Sequence, residues 1–171
     1  MTSTTPTGNT AASSDPVLSP GLPPRDAEDA NANDIRRFVY TWFTLFEHRA
    51  PAEQLATHLA TGEHLTLVIP GTEPMHDIEQ FTAWYKQLLA NTQWNFHELS
   101  NLRVNYSGDD AYDVTFDVDW QGAVTEASAW PTNLPEQRFR FALRQWWRVM
   151  VGPGGALDSP FTIADLVTEA R

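Results

Sequence analysis

The chain has 171 residues, one domain's worth and enough to bury a substantial core. Its formal net charge of −11 argues against nucleic acid and anionic membrane as partners, since both would repel it. The lack of cysteine excludes disulfides, thiolate chemistry and cysteine-based zinc sites, while seven Trp and nine Phe point to an aromatic-lined pocket or interface.

Residues 1–32 are rich in Thr, Ser, Pro, Ala and Asp and nearly empty of large apolar side chains. Such a stretch cannot offset its ordering entropy by burial, so it reads as a disordered tail, and 33–171 as the folded domain. No apolar run reaches membrane-span length, and the basic-then-apolar pattern of a secretory signal is missing, so a cytoplasmic protein is expected.

Asn31, Asn33 and Asp34 are N-cap residue types and predict a helix start. Ile35, Phe38, Val39, Trp42, Phe43 and Phe46 then recur at helical spacing, with Arg36, Arg37, Thr41, Thr44 and Glu47 towards the other side. Pro51 suits the first turn of a short second helix that carries Leu55 and Leu59 and stops at Gly62, with His58 expected on a solvated face. His64 to Ile69 alternates as a strand that Pro70-Gly71 ends. Asp77 and Gln80 form a capping-box-like start to a third helix, whose buried stripe is Ile78, Phe81, Tyr85, Leu88 and Leu89, flanked by Trp84.

From Trp94 to Tyr106 the chain reads as a strand with imperfect alternation. A bulge near Ser100-Asn101 puts His97 and Leu99 on the face of Leu102 and Val104; an unbroken strand leaves His97 facing solvent or a partner subunit. Gly108-Asp109-Asp110 is a turn into the cleanest period-2 segment, Tyr112, Val114, Phe116, Val118 and Trp120. Gly122 to Glu136 reads as an irregular excursion. The next strand alternates Phe139, Phe141, Leu143, Gln145, Trp147, Val149 and Val151 with Arg140, Arg144 and Arg148, which match the preceding acidic row for cross-strand ion pairing. After a Gly152-Pro153-Gly154-Gly155 turn, a last strand carries Phe161, Ile163, Asp165 and Val167 on one parity.

Helices first and long antiparallel strands after them make an α+β fold, with the helices packed on one face of a curved sheet. With the aromatic helix Phe38-Val39-Tyr40-Thr41-Trp42-Phe43, the strand from Leu65 to Pro70, Phe81-Thr82-Ala83-Trp84-Tyr85, the His97-to-Val104 strand and Gln145-Trp146-Trp147, residues 34–169 resemble the nuclear-transport-factor-2-like superfamily and its SnoaL-like group. That resemblance implies a cone-shaped, curved antiparallel sheet against N-terminal helices (a cystatin-like α+β barrel), a cavity between the two layers that is often an active site, and dimerisation through the sheet. Met75-His76 stands where many members carry a Gly, and no residue matches the catalytic Asp of the polyketide cyclases or steroid isomerases unambiguously.

Three polar residues fall on the apolar parity: His97, Gln145 and Asp165. A buried amide needs partners, in a polar network or a ligand. A buried Asp165 would have a raised pKa suited to proton transfer, whereas at a frayed strand end it would sit in water. His97 with Asp165 is the minimum set for acid–base catalysis, with Tyr40, Trp42, Trp84, Tyr85, Gln145 and Trp147 as candidate ligand-binding residues. The five histidines show no i, i+4 pair, and no metal or cofactor is expected. Two functions follow. One is a domain binding a small apolar ligand or substrate as a cofactor-independent isomerase, cyclase or dehydratase. The other is a non-catalytic accessory subunit like the β subunit of ring-hydroxylating dioxygenases. The exposed parity of Trp146 and Met150 adds a homodimer through the outer sheet face.

Overall fold

Helical spacing of apolar residues along the first helix, and period-2 alternation along four long strands, set which faces meet. The computed structural model describes residues 27–125, 138–152 and 159–171. Its elements are α1 (Ala27–Glu47), α2 (Ala52–Ala56), β1 (Thr66–Val68), α3 (Ile78–Asn91), β2 (Thr92–Gly108), β3 (Ala111–Val124), β4 (Arg138–Val151) and β5 (Phe161–Ala170). The strands form one mixed sheet in the order β1-β5-β4-β3-β2, antiparallel except where β1 runs parallel to β5. This is the expected α+β architecture. Ile35, Val39, Trp42 and Phe43 of α1 and Phe81 and Tyr85 of α3 share one core with Val114, Phe116, Trp147, Val149 and Ile163 of the sheet.

Helix α1 starts ahead of the expected caps. Asn31 and Asn33 lie inside it and make other contacts: Asn31 Nδ2 donates to the Tyr112 hydroxyl at 3.2 Å, and Arg36 donates to Asn33 Oδ1 at 3.1 Å. The rest of the predicted tail, 1–26, lies outside the described residues, as do most of the excursion after β3 (126–137) and the Pro153-Gly154-Gly155 turn. Strand β3 itself continues through Gly122 to Val124, further than the sequence suggested. Gly122 is needed there, because a Cβ would lie 2.8 Å from the Trp94 carbonyl oxygen and against the Phe139 ring.

At the start of α3, Gln80 N–H donates to Asp77 Oδ1 at 2.7 Å, and Gln80 Oε1 accepts from the His76 N–H at 2.7 Å. This is a capping box shifted by one residue. The β2–β3 turn places both Asp109 and Asp110 at positive φ between the paired Gly108 and Ala111, as a type I′ hairpin requires.

His58 corrects an expectation. It is buried against the Phe38 and Trp42 rings, with Nδ1 3.2 Å from the Gln54 carbonyl oxygen, and burial lowers its pKa. The chain after α2 turns inward to join the sheet, the Ile163 N–H donating to the His58 carbonyl at 2.8 Å, and this carries the ring off the surface.

Two bulges decide which polar groups face the helices. In β2, Asn101 and Leu102 together oppose the single residue Phe116, so His97 and Leu99 point inward along with Leu102 and Val104. In β5, Ala164 is the extra residue between the Val149–Ile163 and Arg148–Asp165 pairs. From there on the inward residues are Leu166 and Thr168, and Asp165 turns to the outer face.

Candidate active-site cavity

Between the sheet and helices α1 and α3 lies a cavity of about 370 Å³. Its wall is mostly aromatic and aliphatic, including Trp42, Phe43, Trp84, Trp120 and Phe141, and its polar side chains other than indole are His97, Gln145 and Thr168. No Lys, Arg, Asp or Glu lines it among the described residues.

His97 comes from β2. Its side chain is 7% exposed, stacked on Trp120 at 5.8 Å between centroids and tilted against Phe43 at 4.9 Å. Glu47, the last residue of α1, reaches it twice: Oε1 accepts the His97 backbone N–H at 2.8 Å and lies 3.6 Å from the ring nitrogen Nδ1. The ring contact is longer than a hydrogen bond and within ion-pair range. Burial lowers the His97 pKa, and the neighbouring carboxylate opposes that shift. The His97 ring, and then its backbone N–H, hold the Glu47 carboxyl below its ordinary value against partial burial. The pair therefore favours a neutral imidazole beside an ionised carboxylate near neutral pH.

Gln145 and Thr168 are register partners on β4 and β5. Gln145 Oε1 accepts from the buried Trp147 indole N–H at 2.9 Å. Thr168 is 5% exposed, and its Oγ1 is buried without a hydrogen-bond partner among the described residues.

Of the residues singled out in the sequence, Trp42, Trp84, His97 and Gln145 line this cavity together. Four others do not. Tyr40 is exposed on the far side of α1. Tyr85 is wholly buried, stacked on Phe81, and that burial pushes its phenol up to about 12. Trp147 lies in the core behind Gln145. Asp165 stands with His64, Arg148 and Met150 at a separate depression, because the Ala164 bulge turns it away from His97. Two polar residues of the cavity region were missed. Glu47 follows Phe43 by four residues and so shares its inward helix face, a spacing that was there to be used. Thr168 enters only through the β5 bulge, which leaves no mark in the residue pattern.

A curved five-stranded sheet with helices packed over an apolar cavity is the nuclear-transport-factor-2-like cone fold, and the chain has that fold. Solved structures agree. The chain is similar to a protein assigned as an NTF2-like family dehydratase from Streptomyces avermitilis, with a TM-score of 0.67 and 13% identity over 84% of this chain and 98% of that one. It is also similar to the hexachlorocyclohexane dehydrochlorinase LinA-type3 of Novosphingobium barchaimii, with a TM-score of 0.66 and 13% identity over 86% and 91% of the two chains. A third structure, assigned as an aromatic ring hydroxylase of Novosphingobium aromaticivorans, matches with a TM-score of 0.67 and 13% identity over 86% and 92%. No protein-family model and no curated protein matches the sequence.

No helix among the described residues is long and apolar enough to cross a membrane. Nor do three or more His, Asp or Glu side chains converge there as metal ligands would.

Proposed function

We propose that the domain binds a small apolar molecule and removes a proton from it by cofactor-independent acid–base catalysis, in an elimination or isomerisation. The carrying observation is the Glu47–His97 pair at the wall of an apolar cavity. With Glu47 ionised beside Nδ1, the favoured neutral tautomer carries its proton on Nδ1 and leaves the Nε2 lone pair as the base. When Nε2 takes a proton from an acidic C–H, the new imidazolium is stabilised by the Glu47 carboxylate. The proton then returns to a leaving hydroxyl or to another carbon, giving dehydration or isomerisation. Likeness to a dehydratase and a dehydrochlorinase supports elimination as the class.

The test is deuterium exchange at the ring CH2 of indene and the 1,3-shift of the double bond in 1-methylindene, apolar proton donors with no oxygen beside the acidic carbon, both followed by NMR. Wild-type protein is expected to accelerate at least one of the two, and His97→Ala to lose at least about a hundredfold of that rate. No acceleration with any substrate, or an equally active His97→Ala, overturns the proposal. The likeness to a ring hydroxylase favours the second reading, an accessory subunit that binds without catalysing, and that outcome would support it.

A further inference from the structure

The polar groups of the cavity lie at two ends. His97 is opposite Trp120, and Trp120 is opposite Phe141 on β4, four residues from Gln145. Along the sheet, His97 and Gln145 are thus separated by two strand spacings, about 10 Å, and four residues, about 13 Å. Curvature and inward-reaching side chains shorten that path but leave aromatic wall between the ends, with Phe43 touching both His97 and Trp147.

The far end has a defined polarity. An indole N–H can only donate, so the Gln145 oxygen must face Trp147 and its amide nitrogen is the group offered to the cavity. Thr168, directly across the strand pair, brings a buried hydroxyl that nothing among the described residues satisfies. A buried, unpaired hydroxyl costs stability unless something completes it. Among the described residues no cation lines the wall, so an anionic ligand would bury its charge uncompensated by them.

We infer that Gln145 and Thr168 form a recognition subsite for a neutral oxygen acceptor, a carbonyl or ether oxygen, at one end of an otherwise apolar ligand whose other end lies at His97. This rests on the reading of the cavity as a ligand site and deepens it: the ligand class becomes uncharged, aromatic-sized molecules anchored through oxygen. The amide N–H and the Thr168 O–H donate to that oxygen, while the aromatic wall excludes water.

The experiment compares 2-acetylnaphthalene, 2-ethylnaphthalene and 2-naphthoate, which share a shape and differ in acceptor and charge. Binding is read from quenching of the cavity tryptophans. The ratio of the hydrocarbon Kd to the ketone Kd is measured for wild type, Thr168→Val, Gln145→Met and His97→Ala. In Thr168→Val and Gln145→Met the ratio should fall about fivefold, as expected for loss of a neutral hydrogen bond. It should stay at the wild-type value in His97→Ala, and 2-naphthoate should bind at least about tenfold more weakly than the ketone. Thr168→Val removes an unpaired hydroxyl without changing shape, so its melting temperature should not drop, and it keeps the test valid if Gln145→Met folds poorly. A ratio unchanged in Thr168→Val, or tighter binding of the naphthoate, overturns the subsite alone. A ratio lost only in His97→Ala also overturns it, placing the acceptor at the catalytic end. If none of the three probes binds, the subsite and the ligand-site reading fall together.

Discussion

Asn101 Nδ2 donates to Asp117 Oδ2 at 2.7 Å, and this bond pins the bulge that turns His97 into the cavity. Asn101 sits at φ 56°, in the left-handed region that Asn tolerates better than most residues. Its partner Asp117 is covered at the outer sheet face by Arg144 at 2.8 Å and Arg171 at 3.0 Å. An outer-face hydrogen bond thereby fixes the register of an inner-face histidine.

Asn101→Ala loses that bond and strains the backbone, and is expected to cost about 2 kcal/mol. Asn101→Gly relieves the strain without restoring the bond, so it should fall between the variant and wild type in urea denaturation. An Asn101→Ala protein as stable as wild type would mean that the bulge is held by other contacts.

The outer face also predicts an acid limb of stability. Arg144, then Asn101, and also Arg171 hold the Asp117 carboxyl at about 2, against 3.8 unperturbed. Because the folded value is the lower one, this contribution is fully present above about pH 4 and is lost as the pH falls towards 2. Asp117→Asn should be less stable at neutral pH and should show a flatter decline across that window. Melting temperatures at pH 2 to 5 check it, and parallel curves for the two proteins would refute the assignment.

How much of this was legible beforehand follows from period and register. Aromatic residues at helical spacing in α1 and strict alternation in β3 and β4 located the core, because one residue type recurred on one face. The Asp77–Gln80 start of α3 was also legible, being a local hydrogen-bond pattern. The β2 bulge was visible as broken alternation. In β5, Ile163, Asp165 and Val167 formed an unbroken pattern, and Ala164 disrupts it only through pairing with β4. A one-residue slip flips every later side chain, so Asp165 and Thr168 exchanged faces. Glu47 was placed on the outer side of α1 although it follows the inward Phe43 by four residues; what that spacing does not show is that the helix end meets His97 of β2.

The outer face offers a further test. Trp94 and Phe96 are 43% and 49% exposed there, with Trp146 and Met150 half-buried on the same side of the sheet. A homodimer through this face is expected at micromolar concentration, since large apolar side chains left open on a sheet face favour a covered surface. Sedimentation equilibrium should give twice the chain mass, and Phe96→Arg should shift the species to monomer. A wild-type monomer at those concentrations would leave the face as solvent-exposed surface.

Glu47→Gln tests the pair at the cavity wall. Burial holds the His97 pKa below 6.5, and the Glu47 charge raises it part of the way back. Removing that charge while keeping an amide that can still accept the His97 N–H leaves burial unopposed, so the midpoint should move further down. The sign for stability follows. A histidine whose folded pKa is depressed binds its proton more readily when unfolded, so stability falls as the pH drops below about 6.5. The decline should extend to lower pH in Glu47→Gln than in wild type. Activity should respond differently. The limb of the pH–rate profile governed by His97 should shift to lower pH, while the plateau falls at least about tenfold, because the imidazolium formed on proton transfer has lost its carboxylate. Asp165→Asn, on the outer face, should leave the His97 midpoint where it is. NMR titration of the His97 ring in the three proteins decides the matter: a midpoint unchanged or raised by Glu47→Gln would show that the carboxylate does not act on the imidazole.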